Sequence, residues 1–112
     1  MLSWVRYHFE HLRRWREYAE KICSSIKSLG LEAEVYVIGG VAEDRITVLS
    51  DIDILIVVEN IDPSTKKKLA IDIMEKAIDS YGLPWDAPIE LHIIDRNDMK
   101  TYFRLSKTIK IC

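Results

Sequence analysis

Val35-Tyr36-Val37-Ile38-Gly39-Gly40, followed after Val41 to Ser50 by Asp51-Ile52-Asp53-Ile54-Leu55-Ile56-Val57-Val58, is the stretch whose reading decides the fold. Its first run is short, apolar and β-branched, and it stops at two glycines, where the backbone can turn tightly without a Cβ in the way. The second run is apolar on both faces except at its head, the pattern of a buried strand. Such a strand tolerates charge only where the charge is paired or meets a metal, so Asp51 and Asp53 require an explanation. Two residues apart on extended backbone, they project from one face.

Outward from this stretch, the remaining elements alternate between helix and strand. From Ser3 to Leu29 the residues Trp4, Val5, Phe9, Leu12, Ala19, Ile22, Cys23, Ile26 and Leu29 fall on one side of a helical wheel, and Gly30 stands where a helix-ending residue belongs. This predicts one long amphipathic helix over about residues 3–29, roughly 40 Å long at 1.5 Å per residue, with its first turns overhanging the body. Trp4, Tyr7, Phe9, Trp15 and Tyr18 lie there among Arg6, Arg13, Arg14 and Arg16, a composition suited to a partner surface as well as to a packed helix with solvated arginines. Downstream, Asp62 and Pro63 predict a helix start, and the helix runs to about Tyr81 before Gly82. Pro88 to Ile94 alternates, with Ile89, Leu91 and Ile93 on one face and Glu90 and His92 on the other, which is a strand. The segment 95–112 reads as a short helix capped by Asp95 or Asn97 and a brief edge strand. The order describes one α/β (α+β) domain over residues 1–112, with a core at about 35–94 and a small mixed β-sheet packed by helices.

Composition narrows the function classes. At 112 residues, with 48% hydrophobic and 30% charged residues, the chain is large enough to bury its own core. Its net charge of −2 gives no general electrostatic reason to bind nucleic acid or anionic membrane. The apolar run Ile54 to Val58 is far short of the roughly 20 residues that span a bilayer. The start MLSWVRYHFEHLRRW lacks the apolar block of a signal peptide, so a cytoplasmic location is expected. Cys23 and Cys112 form no metal-binding spacing, and both are expected to be free thiols.

The chemistry concentrates at the opening stretch. Mg²⁺ keeps most of its waters and is commonly held by one or two carboxylates plus substrate phosphates, which Asp51 and Asp53 beside a phosphate-accommodating turn would supply. Gly39 and Gly40 could offer backbone N–H groups to those phosphates. Ser50 marks the strand mouth, and Arg45 is the nearby positive charge. Glu90, set in an apolar strand, should be paired or face the acidic cluster. His92 shares its face and reads more readily as a hydrogen-bonded, half-buried side chain than as a participant.

Taken together, Ile38-Gly39-Gly40, Asp51-Ile52-Asp53 and Ile89-Glu90-Leu91 resemble the pattern of the minimal nucleotidyltransferases in the DNA polymerase beta superfamily. The resemblance covers nearly the whole chain and implies a nucleotidyltransferase fold. It implies that Gly39 and Gly40, with Ser50 and Arg45 nearby, hold a nucleoside triphosphate, with ATP expected as donor. Asp51 and Asp53 would bind two Mg²⁺ ions, or Mn²⁺ in their place, and Glu90 the ion that activates an acceptor hydroxyl. Small stand-alone members resemble antitoxins paired with HEPN-type toxins, some of them modifying a tyrosine of that partner. A HEPN-type partner, or a second copy of this chain, is therefore an expected binding partner. The rival reading is an antitoxin-like binding module that neutralises its partner by contact without turnover. Val41, Glu43 and Asp44, which place bulk and negative charge beside the glycines, favour that rival.

Overall fold

The computed structural model describes residues 3–112, so Met1 and Leu2, the first two residues of the expected domain, lie outside the described residues. Ten elements follow in order. They are α1 (Ser3–Arg13), α2 (Trp15–Ser28), β1 (Glu34–Ile38), the single-turn α3 (Gly39–Ala42), β2 (Ile52–Val58), α4 (Pro63–Tyr81), β3 (Ile89–Asp95), a 3-10 turn (Arg96–Asp98), α5 (Met99–Leu105) and β4 (Ile109–Lys110). The four strands form one mixed sheet in the order β3-β2-β1-β4. β1 runs antiparallel to β2 and to β4, whereas β2 and β3 are parallel, joined through α4 as a parallel pair requires.

Strand alternation gives the sheet two unlike faces. Val35, Val37, Ile52, Ile54, Ile56, Val58 and Ile93 turn to one side and pack with Tyr18, Ala19, Ile22 and Ile26 of α2 and Ile73 and Ala77 of α4. Tyr36, Ile38, Leu55, Val57 and Ile94 turn to the other, where Met99 and Tyr102 of α5 cover them in part. The helix α4 begins and ends as its sequence predicts. The Asp62 side chain accepts from the Thr65 amide at 3.0 Å, Pro63 opens the first turn, and Gly82 closes the last with a positive φ of 69°.

Three expectations are corrected. The single long helix over residues 3–29 is two helices, interrupted at Arg14 (φ −90°, ψ 17°). Leu12 and Tyr18, six positions apart, would point about 120° away from each other on a straight helix, and the break lets both be fully buried. Tyr18 therefore belongs to the core and not to an overhanging partner surface, and Trp15 and Phe9 are half-buried against that core. Trp4 and Tyr7 are the two aromatics of the segment that stay exposed. Finally, Cys23 and Cys112 are not free thiols but a disulfide joining α2 to the second residue after β4. Their meeting is a product of the sheet: the Val35 amide of β1 donates to the Cys112 carbonyl at 2.9 Å, which lays the chain end along β1 beneath α2.

No described helix is long and apolar enough to cross a membrane.

Candidate active site

The site forms where β1 ends and β2 and β3 run side by side. In the sheet register Ile38 faces Asp53 on one side, and Asp53 faces Glu90 on the other. Asp53, Glu90 and His92 have the parity of Leu55 and Ile94, so they lie on the partly covered face, beyond the reach of the α2 and α4 core. The carboxylate of Asp53 is half-buried and accepts a hydrogen bond from Nε2 of His92 at 3.0 Å. Glu90 lies 4.0 Å from the same nitrogen, with its side chain 59% exposed. One donor atom from each of Asp53, Glu90 and His92 falls within 4.8 Å of the others. Two carboxylates and an imidazole on an open sheet face form a donor set that fits a divalent cation.

The glycines are explained by steric crowding. Gly39 has φ +72°, and a Cβ there would sit 2.6 Å from Oδ2 of Asp53. A side chain there would have to displace the Asp53 carboxylate and adopt a strained positive φ, so Gly39 lets the turn close directly onto the carboxylate. A Cβ at Gly40 would sit 2.9 Å from the Arg45 carbonyl, because the Arg45 amide returns to the Gly40 carbonyl at 2.7 Å. The Gly39 amide is itself engaged, donating to Oγ of Ser106 at 3.1 Å. Ser106, which ends α5, has no sequence feature that would have marked it.

The remaining sequence candidates are placed as follows. Asp51 lies one residue ahead of β2, exposed, and is not among the three residues whose donor atoms converge. Ser50 is half-buried: its Oγ accepts from the Thr47 amide at 2.9 Å, and its carbonyl accepts from Nε2 of His8 at 2.7 Å. That second bond ties α1 to the rim of the site, and Tyr7 adds another by donating to Asp86 at 2.8 Å. Arg45 is exposed and its guanidinium is held by Glu43. Further along the same face, burial pushes the Tyr36 hydroxyl up to about 12, and its hydrogen bond to Glu34 acts in the same direction. That bond in turn holds the Glu34 carboxyl below the usual carboxylate range.

A glycine turn closed onto an aspartate, a second carboxylate on the neighbouring parallel strand and an open face above them form an acidic pocket edge that can take a cation together with a phosphate group. The sequence pattern of the nucleotidyltransferase domain matches residues 17–111, from within α2 to β4 and beyond. This chain belongs to the nucleotidyltransferase domain family. A crystal structure of a candidate nucleotidyltransferase from Sulfolobus solfataricus shares its fold, with a TM-score of 0.59 at 21% sequence identity over 92% of this chain and 84% of that one. No curated protein matches the chain. The family match begins after α1, so the helix that contacts Ser50 lies outside the matched residues.

Proposed function

We propose that this nucleotidyltransferase domain moves a nucleoside monophosphate from ATP to an acceptor hydroxyl, releasing pyrophosphate, as a transferase of the EC 2.7.7 type. The observation that carries the reading is the closure of Gly39 onto Asp53 beside Glu90, because it leaves backbone, not side chain, next to the carboxylates where a triphosphate would lie. Asp51, Asp53 and Glu90 would hold Mg²⁺, or Mn²⁺, and the bound ions would supply neutralisation of phosphate charge and a lowered pKa for the acceptor. Gly39, Gly40 and Ser50 would border the triphosphate, and Arg45 would contribute by exchanging Glu43 for a phosphate.

The finer assignment, a tyrosine of a HEPN-type partner as acceptor, draws support from one surface feature. On α1, Trp4 and Tyr7 are 59% and 52% exposed, near Arg6, and form a contact surface for such a partner or for a second copy of the chain. A cytoplasmic location would suit a reaction that uses ATP, and the Cys23–Cys112 bond is the feature least typical of that compartment.

The rival, an antitoxin-like binding module without turnover, is favoured by Arg45 being occupied by Glu43 and by Asp44 standing beside them. Labelled ATP, metal and a co-purified partner separate the two. The enzyme reading expects transfer of label, abolished together with nucleotide binding in Asp51→Asn/Asp53→Asn. Nucleotide affinity unchanged in that double variant, or after chelation, would remove the site. Bound ATP with no transfer by the parent would leave the binding module.

A further inference from the structure

We infer that His92 is a metal ligand, making the Asp53–Glu90–His92 group a mixed nitrogen and oxygen site that selects a first-row transition cation over Mg²⁺. This rests on the reading of Asp53 and Glu90 as cation ligands. The argument starts from distances. Donor atoms sharing a cation at bond lengths near 2.1 Å stand about 3 Å apart at right angles and about 3.4 Å apart at tetrahedral angles. Asp53 Oδ1 and His92 Nε2 are already 3.0 Å apart. Glu90 Oε2, at 4.0 Å from the same nitrogen, is on an exposed side chain free to close the remainder by rotation.

The sheet imposes this meeting. β2 and β3 are in parallel register, with Asp53 opposite Glu90 and Leu55 opposite His92, and all four side chains share a face. The imidazole is thus carried on the same strand as the Glu90 carboxylate, two residues on, and turned back to the Asp53 carboxylate on the neighbouring strand. A cation would take the place of the hydrogen bond between Nε2 and Oδ1, bound through Nε2 of a neutral ring that carries its proton on Nδ1. Chemistry then sets the preference. Mg²⁺ is a hard ion bound through oxygen, whereas imidazole suits zinc, iron, nickel and copper, with affinity rising from Mn²⁺ along the first row.

A purely supporting His92 is the competing role, and it has a different signature. A residue that only orients a ligand carboxylate weakens every cation at that carboxylate, by about 10- to 100-fold. A ligand weakens the nitrogen-preferring ions most. The test uses the full chain without nucleotide, titrated calorimetrically with Zn²⁺ and separately with Mg²⁺. Zn²⁺ is expected to bind at least tenfold more tightly than Mg²⁺. His92→Gln is expected to reduce Zn²⁺ affinity at least tenfold while changing Mg²⁺ affinity less than threefold. Pulsed electron paramagnetic resonance of Mn²⁺ bound to the parent is expected to show a ¹⁴N coupling that His92→Gln removes, and the parent spectrum alone decides the matter if the variant fails to fold. Equal losses for both metals, no loss of Zn²⁺ affinity, or a parent spectrum without nitrogen coupling would overturn the ligand role. Asp53→Asn and Glu90→Gln separate this from the underlying reading: if neither variant weakens either metal, the carboxylates are not cation ligands and that reading falls, whereas loss of both metals there with equal losses in His92→Gln overturns the ligand role of His92 alone.

Discussion

The two faces of the sheet are made by the same strands yet differ in almost every property. On the side of α2 and α4, alternate residues of β1 and β2 are fully buried among aliphatic neighbours, and even the hydroxyl of Tyr18 is satisfied, by Nδ1 of His11 at 2.6 Å. On the side of α5 the cover is partial, the cluster of buried residues is small, and the neighbouring positions 53, 90 and 92 carry charge and an imidazole. A strand reverses the direction of its side chains at each residue, so one strand can serve stability through one alternate set of positions and chemistry through the other. The densely packed face fixes the register, and the register is what delivers Asp53, Glu90 and His92 to one place.

This contrast can be broken by substitution, beginning on the packed face. Tyr18→Ala removes a fully buried aromatic and should lower unfolding free energy by about 3–5 kcal/mol, measured by denaturant titration. A loss under about 1 kcal/mol would return Tyr18 to the surface role that its sequence context suggested. Next, Cys23→Ser opens a cross-link between residues 89 apart and should cost about 2–4 kcal/mol, a loss that reduction of the parent should reproduce. Both changes should leave the affinity of the folded protein for divalent cations unaltered.

The open face predicts the converse. Glu90→Gln should leave the melting temperature and ATP binding close to those of the parent while lowering nucleotidyl transfer by about a hundredfold or more, followed with labelled ATP. Equal transfer by variant and parent would make Glu90 structural. The smallest effect belongs to Tyr36. Its pKa is raised in the folded state, so the stability it contributes is present below the ordinary tyrosine value of about 10 and is lost as pH rises through the folded value of about 12. Thermal melts should show Tyr36→Phe slightly less stable than the parent near neutrality, with the difference closing and reversing between those two pH values.

The legible part of the fold was that written in local pattern. β1 and β2 declare themselves by apolar runs, α4 by Asp62, Pro63 and Gly82, and β3 by an alternation that already set Glu90 and His92 on one side. The break at Arg14 was hidden because a stripe on a helical wheel is too coarse to register one non-helical residue, and only the joint burial of Leu12 and Tyr18 exposes it. The disulfide was hidden because nothing near Cys23 or Cys112 records that β4 returns along β1. Within the site, the aspartate pair looked symmetric in sequence, yet Asp53 is inside the strand and engaged by His92, while Asp51 is ahead of it in solvent. The engagement of the Gly39 amide by Ser106 is a tertiary contact across most of the chain, with no local trace.

The parallel pairing of β2 with β3 also has a bearing on how the molecule reaches its native state. Asp53 and His92 are 39 residues apart in sequence, and no local hairpin can bring them together, since α4 must be traversed before the second strand docks. Loop closure of that kind is paid before any contact rewards it, whereas β1 and β2 meet through a shorter antiparallel connection. In a refolding experiment, competence to bind a cation should therefore appear with docking of β3, after the β1–β2 pair has formed, so a metal-sensitive signal would time the closing of the sheet.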